Sequence, residues 1–399
     1  MAFNFKRTAA AATAIVCTAA MCGCMDTGKI GTVDGVEIRN GVYLYFLLNS
    51  YNEGYTEVAD VKAEAGDTSE VADLFKETID GKEANAWMKE KALESVKRYV
   101  AVQRLFEEKG LTLSADEKNA KIAEINSTWD TEDMYAQYIY GFDTMGEYYE
   151  SIGIGKESMK ELQLNSMMEE KVFLAYYDTD GEKAVSAEDI NAYLKENYAS
   201  IKYIEMPFEN ANGIDLTDEV EIQAVKDTAQ SYVDRLNGGE SFIDVKYDND
   251  LKTAQEKAAA EAELDYAEET GEAADYDSYI QAAVDAVKVE KAATEDELST
   301  VISKESSSLD EEFTEYIWTL AEDGTATLFT TDAAAYVVLR EDITANETWK
   351  TDNKSVVLDV MKGEEFEQLL LDTGAGYNAD LNSYLVDNKY SPDKIKGTN

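Results

Sequence analysis

Two prolines, Pro207 and Pro392, are all that 399 residues contain. Proline is the residue that removes a helical N–H and clashes with the preceding turn, so this chain is free to run in long uninterrupted helices. Aromatic residues make up 10% of it, with 25 tyrosines among them, which leaves room for strands. An apolar content of 44% can bury real cores, and the length suits roughly two to three domains. The expected class is therefore α+β and mostly helical. Lys and Arg number 36 against 82 Asp and Glu, a formal charge of −46, so the surface field repels phosphate backbones and nucleic acid is excluded as a partner. Histidine is absent, which removes Ser/His/Asp and Cys/His triads, imidazole bases and every zinc site built on imidazole.

The first residues place Lys6 and Arg7 before an uncharged apolar run from Thr8 to Met21, the pattern of a signal peptide and too short to span a bilayer comfortably. The run ends in Met21-Cys22-Gly23-Cys24, which resembles the lipobox of bacterial lipoproteins, with Cys24 as the lipidated residue. An ordinary secretory leader beside an unrelated cysteine is the plainer alternative. Cleavage before Cys24 would discard Cys17 and Cys22 and leave one cysteine, so no internal disulfide is expected. Such an acidic chain would be held at a membrane by acyl chains, of which more than one is needed, and not by basic residues.

Along the chain, Ile30–Ile38 reads as a hairpin turning at Asp34-Gly35, followed by an apolar segment, Val42–Leu48. Gly54–Ser69 reads as loop. From Asn85 to Lys109, Ala92, Val96, Tyr99, Val102 and Phe106 recur at helical steps, and Ser114 with Glu117 forms a capping box for a helix carrying Ile122 and Ile125 inward. Helices are expected over 134–142, 144–151 and 156–177, then a turn at 178–181 and a short helix from Ser186 to Tyr198. The period changes at Ile201–Met206, a strand, before a helix over 217–236 ended by Gly238-Gly239. The Ala- and Glu-rich block Leu251–Asp296 suits helix bent at Gly271. Leu309–Leu320 is helical, 325–329 and 335–340 are strands, and 356–371 and 379–387 are helices. No loop has metal-ligand spacing, and no metal or cofactor is implied.

Strand, helix, acidic insert, helix, strand, strand is an order that resembles a parvulin-type (PpiC-type) prolyl isomerase domain. Local segments agree with it: Ala187–Tyr198 leading into Ile201-Lys-Tyr-Ile204, Phe242–Asp250 after the first long helix, Leu309–Leu320, Gly324-Thr-Ala-Thr327 and Ala335-Tyr-Val-Val-Leu339. With the flanking helices and the lipobox, the chain resembles the PrsA and SurA foldases, extracytoplasmic chaperones in which an isomerase domain is inserted into a helical domain. The resemblance implies a leader over 1–23, a helical chaperone domain over 24–185 completed by 344–399, and a parvulin-like α/β domain over 186–343 with an acidic helical insert at 251–296.

It also implies two histidines side by side on the first and last strands, and here those positions match Tyr203 and Tyr336, while the family's polar position after the first helix falls on Asp250. These three are the catalytic candidates. Prolyl isomerisation needs no nucleophile, only a pocket that twists the amide over a barrier of about 20 kcal/mol. A phenol is larger than imidazole and would crowd that pocket, so the plainer reading is cross-strand packing for both tyrosines and a strand-end or cap role for Asp250. Phe313 and Phe329 are pocket or core candidates. Met134, Tyr138, Phe142 and Met145 offer adaptable surface for clients, against the alternative that Tyr138, Phe142, Met145 and Tyr149 form the buried face of helices. The leading expectation is a lipid-anchored chaperone for exported polypeptides on the outer face of the bacterial cell membrane, with a degenerate parvulin-like domain. An active prolyl isomerase and a lipid-anchored solute-binding or structural module are the alternatives.

Overall fold

The computed structural model describes residues 27–269, 275–305 and 308–394. The leader, Cys24 and Gly271 lie outside the described residues. The chain is α+β and mostly helical, and it divides into two compact units, Met1–Val185 with Ser355–Asn399, and Ser186–Lys354, where the sequence suggested 186–343 for the inserted part. Among the described residues no helix is long and apolar enough to cross a membrane.

The first unit begins with β1 (Lys29–Val33) and β2 (Val36–Arg39), then α1 (Asn40–Glu64), a small ribbon of β3 (Thr78–Ile79) and β4 (Lys82–Glu83), α2 (Ala84–Glu108), α3 (Ala115–Trp129), α4 (Met145–Ser151) and α5 (Lys156–Tyr177). The hairpin turns where expected, with Asp34 and Gly35 both left-handed at φ +47° and +77°, the two-residue turn whose twist matches paired strands. The expected loop over 54–69 is instead the second half of α1. Gly54 does not break the helix; a Cβ there would come within 3.0 Å of Ile79 and 3.3 Å of Trp87, so the glycine admits close packing against the neighbouring ribbon and helix. On α2 the expected stripe is the buried one, with Ala92, Val96 and Val102 fully enclosed. Ser114 and Glu117 form the reciprocal capping box of α3.

The second unit holds α6 (Ala187–Asn197), β5 (Tyr198–Pro207), α7 (Glu219–Asn237), α8 (Phe242–Glu269), α9 (Tyr276–Ala286), β6 (Thr300–Ser303), α10 (Glu311–Ile317), β7 (Thr327–Thr330) and β8 (Ala334–Glu341). Its four strands form an antiparallel sheet in the order β6-β5-β8-β7. β6 was not legible as a strand, and the helical block is displaced: α8 starts at Phe242, and the chain from Val287 leaves the helix. One sheet face packs Ile204, Val337 and Leu339 against Ala229, Tyr232 and Val233 of α7 and Phe242 and Val245 of α8. The other packs Ile201, Tyr336 and Val338 against Phe313 and Ile317 of α10. The side chain of Asn237 exchanges two hydrogen bonds with the backbone of Ala326, at 2.9 and 3.0 Å, tying the end of α7 to the start of β7.

The chain returns to the first unit through α11 (Glu347–Ala375) and β9 (Ala379–Leu381). The expected helix over 379–387 is therefore a strand followed by a π-helical turn, Leu385–Lys389. β9 joins β1 antiparallel because Gly31 clears its path: a Cβ on Gly31, which sits at φ +152°, would lie 2.2 Å from the carbonyl oxygen of Asp380. Phe366 of α11 packs on Phe173 and Tyr177 of α5 at ring separations of 5.2 and 6.2 Å.

At the centre of this closure Arg98 of α2 donates to Glu169 of α5 at 2.6 and 3.0 Å and to Glu367 of α11 at 2.7 and 2.8 Å. Burial pulls its pKa down, and the hydrogen bonds to the two carboxylates outweigh that and hold it above the ordinary arginine value. Glu169 is itself buried. Replacing the guanidinium by Arg98→Met leaves that carboxylate uncompensated, and the first unit should lose about 3 kcal/mol, read as a lower urea midpoint for its unfolding transition.

Candidate functional site

Strand alternation and antiparallel register bring the two tyrosines to one face of the second unit's sheet. Tyr203 of β5 pairs with Val338, and Tyr336 of β8 pairs with Glu205, so the two are diagonal neighbours on adjacent strands. Above them Asp310 caps α10 by accepting from the Phe313 N–H at 3.1 Å, which aims the Phe313 ring at the sheet. Phe313 is stacked on Tyr336 at 4.1 Å and 18°, meets Tyr203 edge-on at 5.7 Å, and lies 5.9 Å from Phe329, which in turn stacks on Tyr316 at 4.5 Å. Phe313 is fully buried and Tyr336 is 6% exposed. Rings stacked at 4.1 Å are in van der Waals contact, so no further ring fits between them.

The Tyr336 hydroxyl donates to Glu205 Oε1 at 3.2 Å. Burial first, then the Glu205 carboxylate, pushes the phenol up to about 12, and the same two causes raise Tyr203. Glu205 was missed in the sequence, although its spacing two residues from Tyr203 on a strand was a usable signal.

Asp250 does not join this group. It is neither a strand end nor a cap, because α8 runs unbroken through it; its carboxylate takes both bonds from Lys246 one turn earlier, at 2.6 and 2.7 Å. α8 packs on the opposite face of the sheet from Phe313. There Asp250 lines a cleft of about 850 Å³ together with Glu205, Asn249 and the loop after β5.

The client-binding candidates of the first unit separate into two sets. Met134 and Tyr138 are 73% and 78% exposed, and Tyr135 between them is 55% exposed. Phe142 and Met145 pack against the core with Tyr149. The steps from Tyr138 to Phe142 do not define one helix face, because the π-helical turn Ala136–Tyr140 ends at Gly141, at φ +73°, and a new helix starts only after the Thr144 cap. Tyr140 stacks on the buried Tyr148 at 3.9 Å, which fixes the exposed segment to the unit.

Two measurements check the closed aromatic floor. Phe313→Ala should destabilise the second unit by about 3 kcal/mol, as a large buried ring is lost beneath α10. In a spectrophotometric titration Tyr336 should ionise near pH 12. Since its folded value is raised, the associated stability is present in full below the ordinary tyrosine value and is lost as pH rises through the folded one; Tyr336→Phe should remove that alkaline step.

No protein-family model and no curated protein matches the chain. Among solved structures it is similar to the foldase protein PrsA from Streptococcus pneumoniae strain Canada MDR_19A, at 15% identity and TM-score 0.30, over 77% of this chain and 92% of that one. It is also similar to PrsA from Bacillus subtilis, at 15% identity and TM-score 0.26, over 93% of this chain and 100% of that one.

Proposed function

We propose that this chain is a lipid-anchored extracytoplasmic chaperone that holds exported polypeptides, and that its parvulin-like domain does not accelerate prolyl isomerisation. The observation that carries the chaperone reading is the exposed Met134-Tyr135 pair with Tyr138, presented on a short turn braced by the Tyr140–Tyr148 stack. Methionine and tyrosine give apolar contact that adapts to many sequences at low entropic cost, which is what weak, promiscuous holding requires. The abundant negative charge would keep the loaded chaperone in solution and favour basic clients in a salt-dependent way.

The inactive reading rests on the Phe313–Tyr336 stack, which occupies the floor where the family resemblance would seat a proline ring. The Tyr336–Glu205 hydrogen bond favours the second reading, an isomerase that uses a phenol in place of imidazole. The full chain decides between them in a proline-peptide assay: the uncatalysed rate is expected, and acceleration that disappears in Tyr336→Phe would establish the enzyme instead.

Chaperoning is tested by light scattering of a chemically unfolded client. The chain should suppress aggregation, and the triple variant Met134→Ser, Tyr135→Ser, Tyr138→Ser should lose most of that protection while melting like the parent, because the three side chains are exposed. Equal protection by the variant would remove these residues from the function. Anchoring rests on the Lys6–Cys24 leader, so Cys24→Ser should abolish incorporation of labelled fatty acid and release the protein from the membrane fraction.

A further inference from the structure

The second unit's sheet ends at β7, which has β8 on one side and no strand on the other among the described residues. Strand register fixes which of its backbone groups are used. Thr331 donates its N–H to the Ala334 carbonyl at 2.9 Å, so residues 327, 329 and 331 face β8, and the N–H and C=O of Ala326, Leu328 and Thr330 point away from it. Ala326 has a partner on that outer side. The Asn237 carboxamide accepts from its N–H at 3.0 Å and donates to its C=O at 2.9 Å. A carboxamide carries the same donor and acceptor as a peptide group, so Asn237 stands where a peptide group of a further strand would stand. Leu328 and Thr330 repeat the same outward pair, each about 7 Å beyond the last. No group of the described residues answers either of them.

The strand itself does nothing to blunt this edge. Thr-Leu-Phe-Thr carries neither the charge nor the proline that keeps sheet edges from pairing. Phe329 stacks on Tyr316 at 4.5 Å on one face, and Leu328 packs with the α7 cluster on the other, so each face of the edge offers a half-buried apolar side chain to a neighbour. Two unanswered rungs beyond Asn237 call for an extended segment of about four or five residues, since each rung spans two. A formal charge of −46 opposes a second copy of this chain as that neighbour. The chemistry that fits is the one Asn237 already supplies, a peptide backbone.

We infer that β7 binds an extended segment of an unfolded polypeptide as a fifth strand. The segment exchanges hydrogen bonds with Leu328 and Thr330 and continues the row that Asn237 begins, with apolar or β-branched side chains beside Phe329 and Leu328. Attachment through the backbone tolerates many sequences, because every residue except proline brings the same donor and acceptor. The site stands on strand register alone and does not depend on the Met134–Tyr138 surface.

The test uses the full chain and a labelled hexapeptide alternating threonine and valine, acetylated and amidated so that it is uncharged. Fluorescence anisotropy should show binding, and a fully N-methylated version with the same side chains should not bind. Thr330→Pro removes an outward N–H that the fold does not use, so it should melt like the parent and weaken binding roughly tenfold. Thr330→Ala keeps the N–H and should bind like the parent. Hydrogen exchange read by mass spectrometry should show the peptide protecting residues 326–331, and this reading on the unaltered chain decides the matter if Thr330→Pro melts early. Equal binding of the N-methylated peptide, equal loss in Thr330→Ala, or no protection of residues 326–331 would overturn the assignment. So would a dimer in sedimentation that Thr330→Pro abolishes, which would make the occupant a second copy. The Met134–Tyr138 triple variant should bind the peptide normally, so failure of the edge and failure of the chaperone surface read out separately.

Discussion

One guanidinium holds together segments that are hundreds of residues apart. Arg98 is partly buried between α2, α5 and α11, and a cation there is tolerated only because Glu169 and Glu367 each present a carboxylate to it. The geometry is demanding: both partners must arrive for either to be worth burying. Around this point the helices approach closely, with Gly374 set so that a Cβ would meet the backbone of Lys97 at 3.0 Å, and Phe366 seated on the rings of α5. The ion group therefore specifies which surface of α11 faces inward, while the apolar contacts supply most of the stabilisation.

The second unit solves a different problem with the same sheet. On one face, Lys202 is enclosed with Glu341 at 2.9 Å and Glu295 at 3.2 Å, which pins the segment after α9 across the strands. On the other, the carboxylate of Glu205 meets a phenol beside a closed stack of rings. The rings behave as core, and the open polar volume lies elsewhere, beside α8.

Most elements with a strong period were legible. The buried stripe of α2, the capping box at Ser114 and the Asp34-Gly35 turn all express local rules that tertiary contacts reinforce. The failures share a cause. Gly54 looked like a breaker, yet its purpose is a helix contact with residues 79 and 87; Ala379–Leu381 looked helical, yet it becomes a strand because Gly31, some three hundred and fifty positions earlier, leaves room for it. β6 is too short to show alternation and exists as a partner for β5. In the candidate site, the pairing of Tyr203 with Tyr336 was implied only by the family resemblance, whereas the side of the sheet on which Asp250 falls depended on where α8 begins, which composition did not reveal.

The pairing of β1 with β9 also imposes an order in time. A chain delivered from its N-terminus presents β1, α1 and α2 long before α11 and β9 exist, so the first unit waits with its strand edge and the Arg98 site unfilled. Residues 186–354 are contiguous and are all made before β9, so they can mature during that interval. The last strand to arrive is then the latch, and a protein truncated before Ala379 would retain a finished second unit and an unclosed first one.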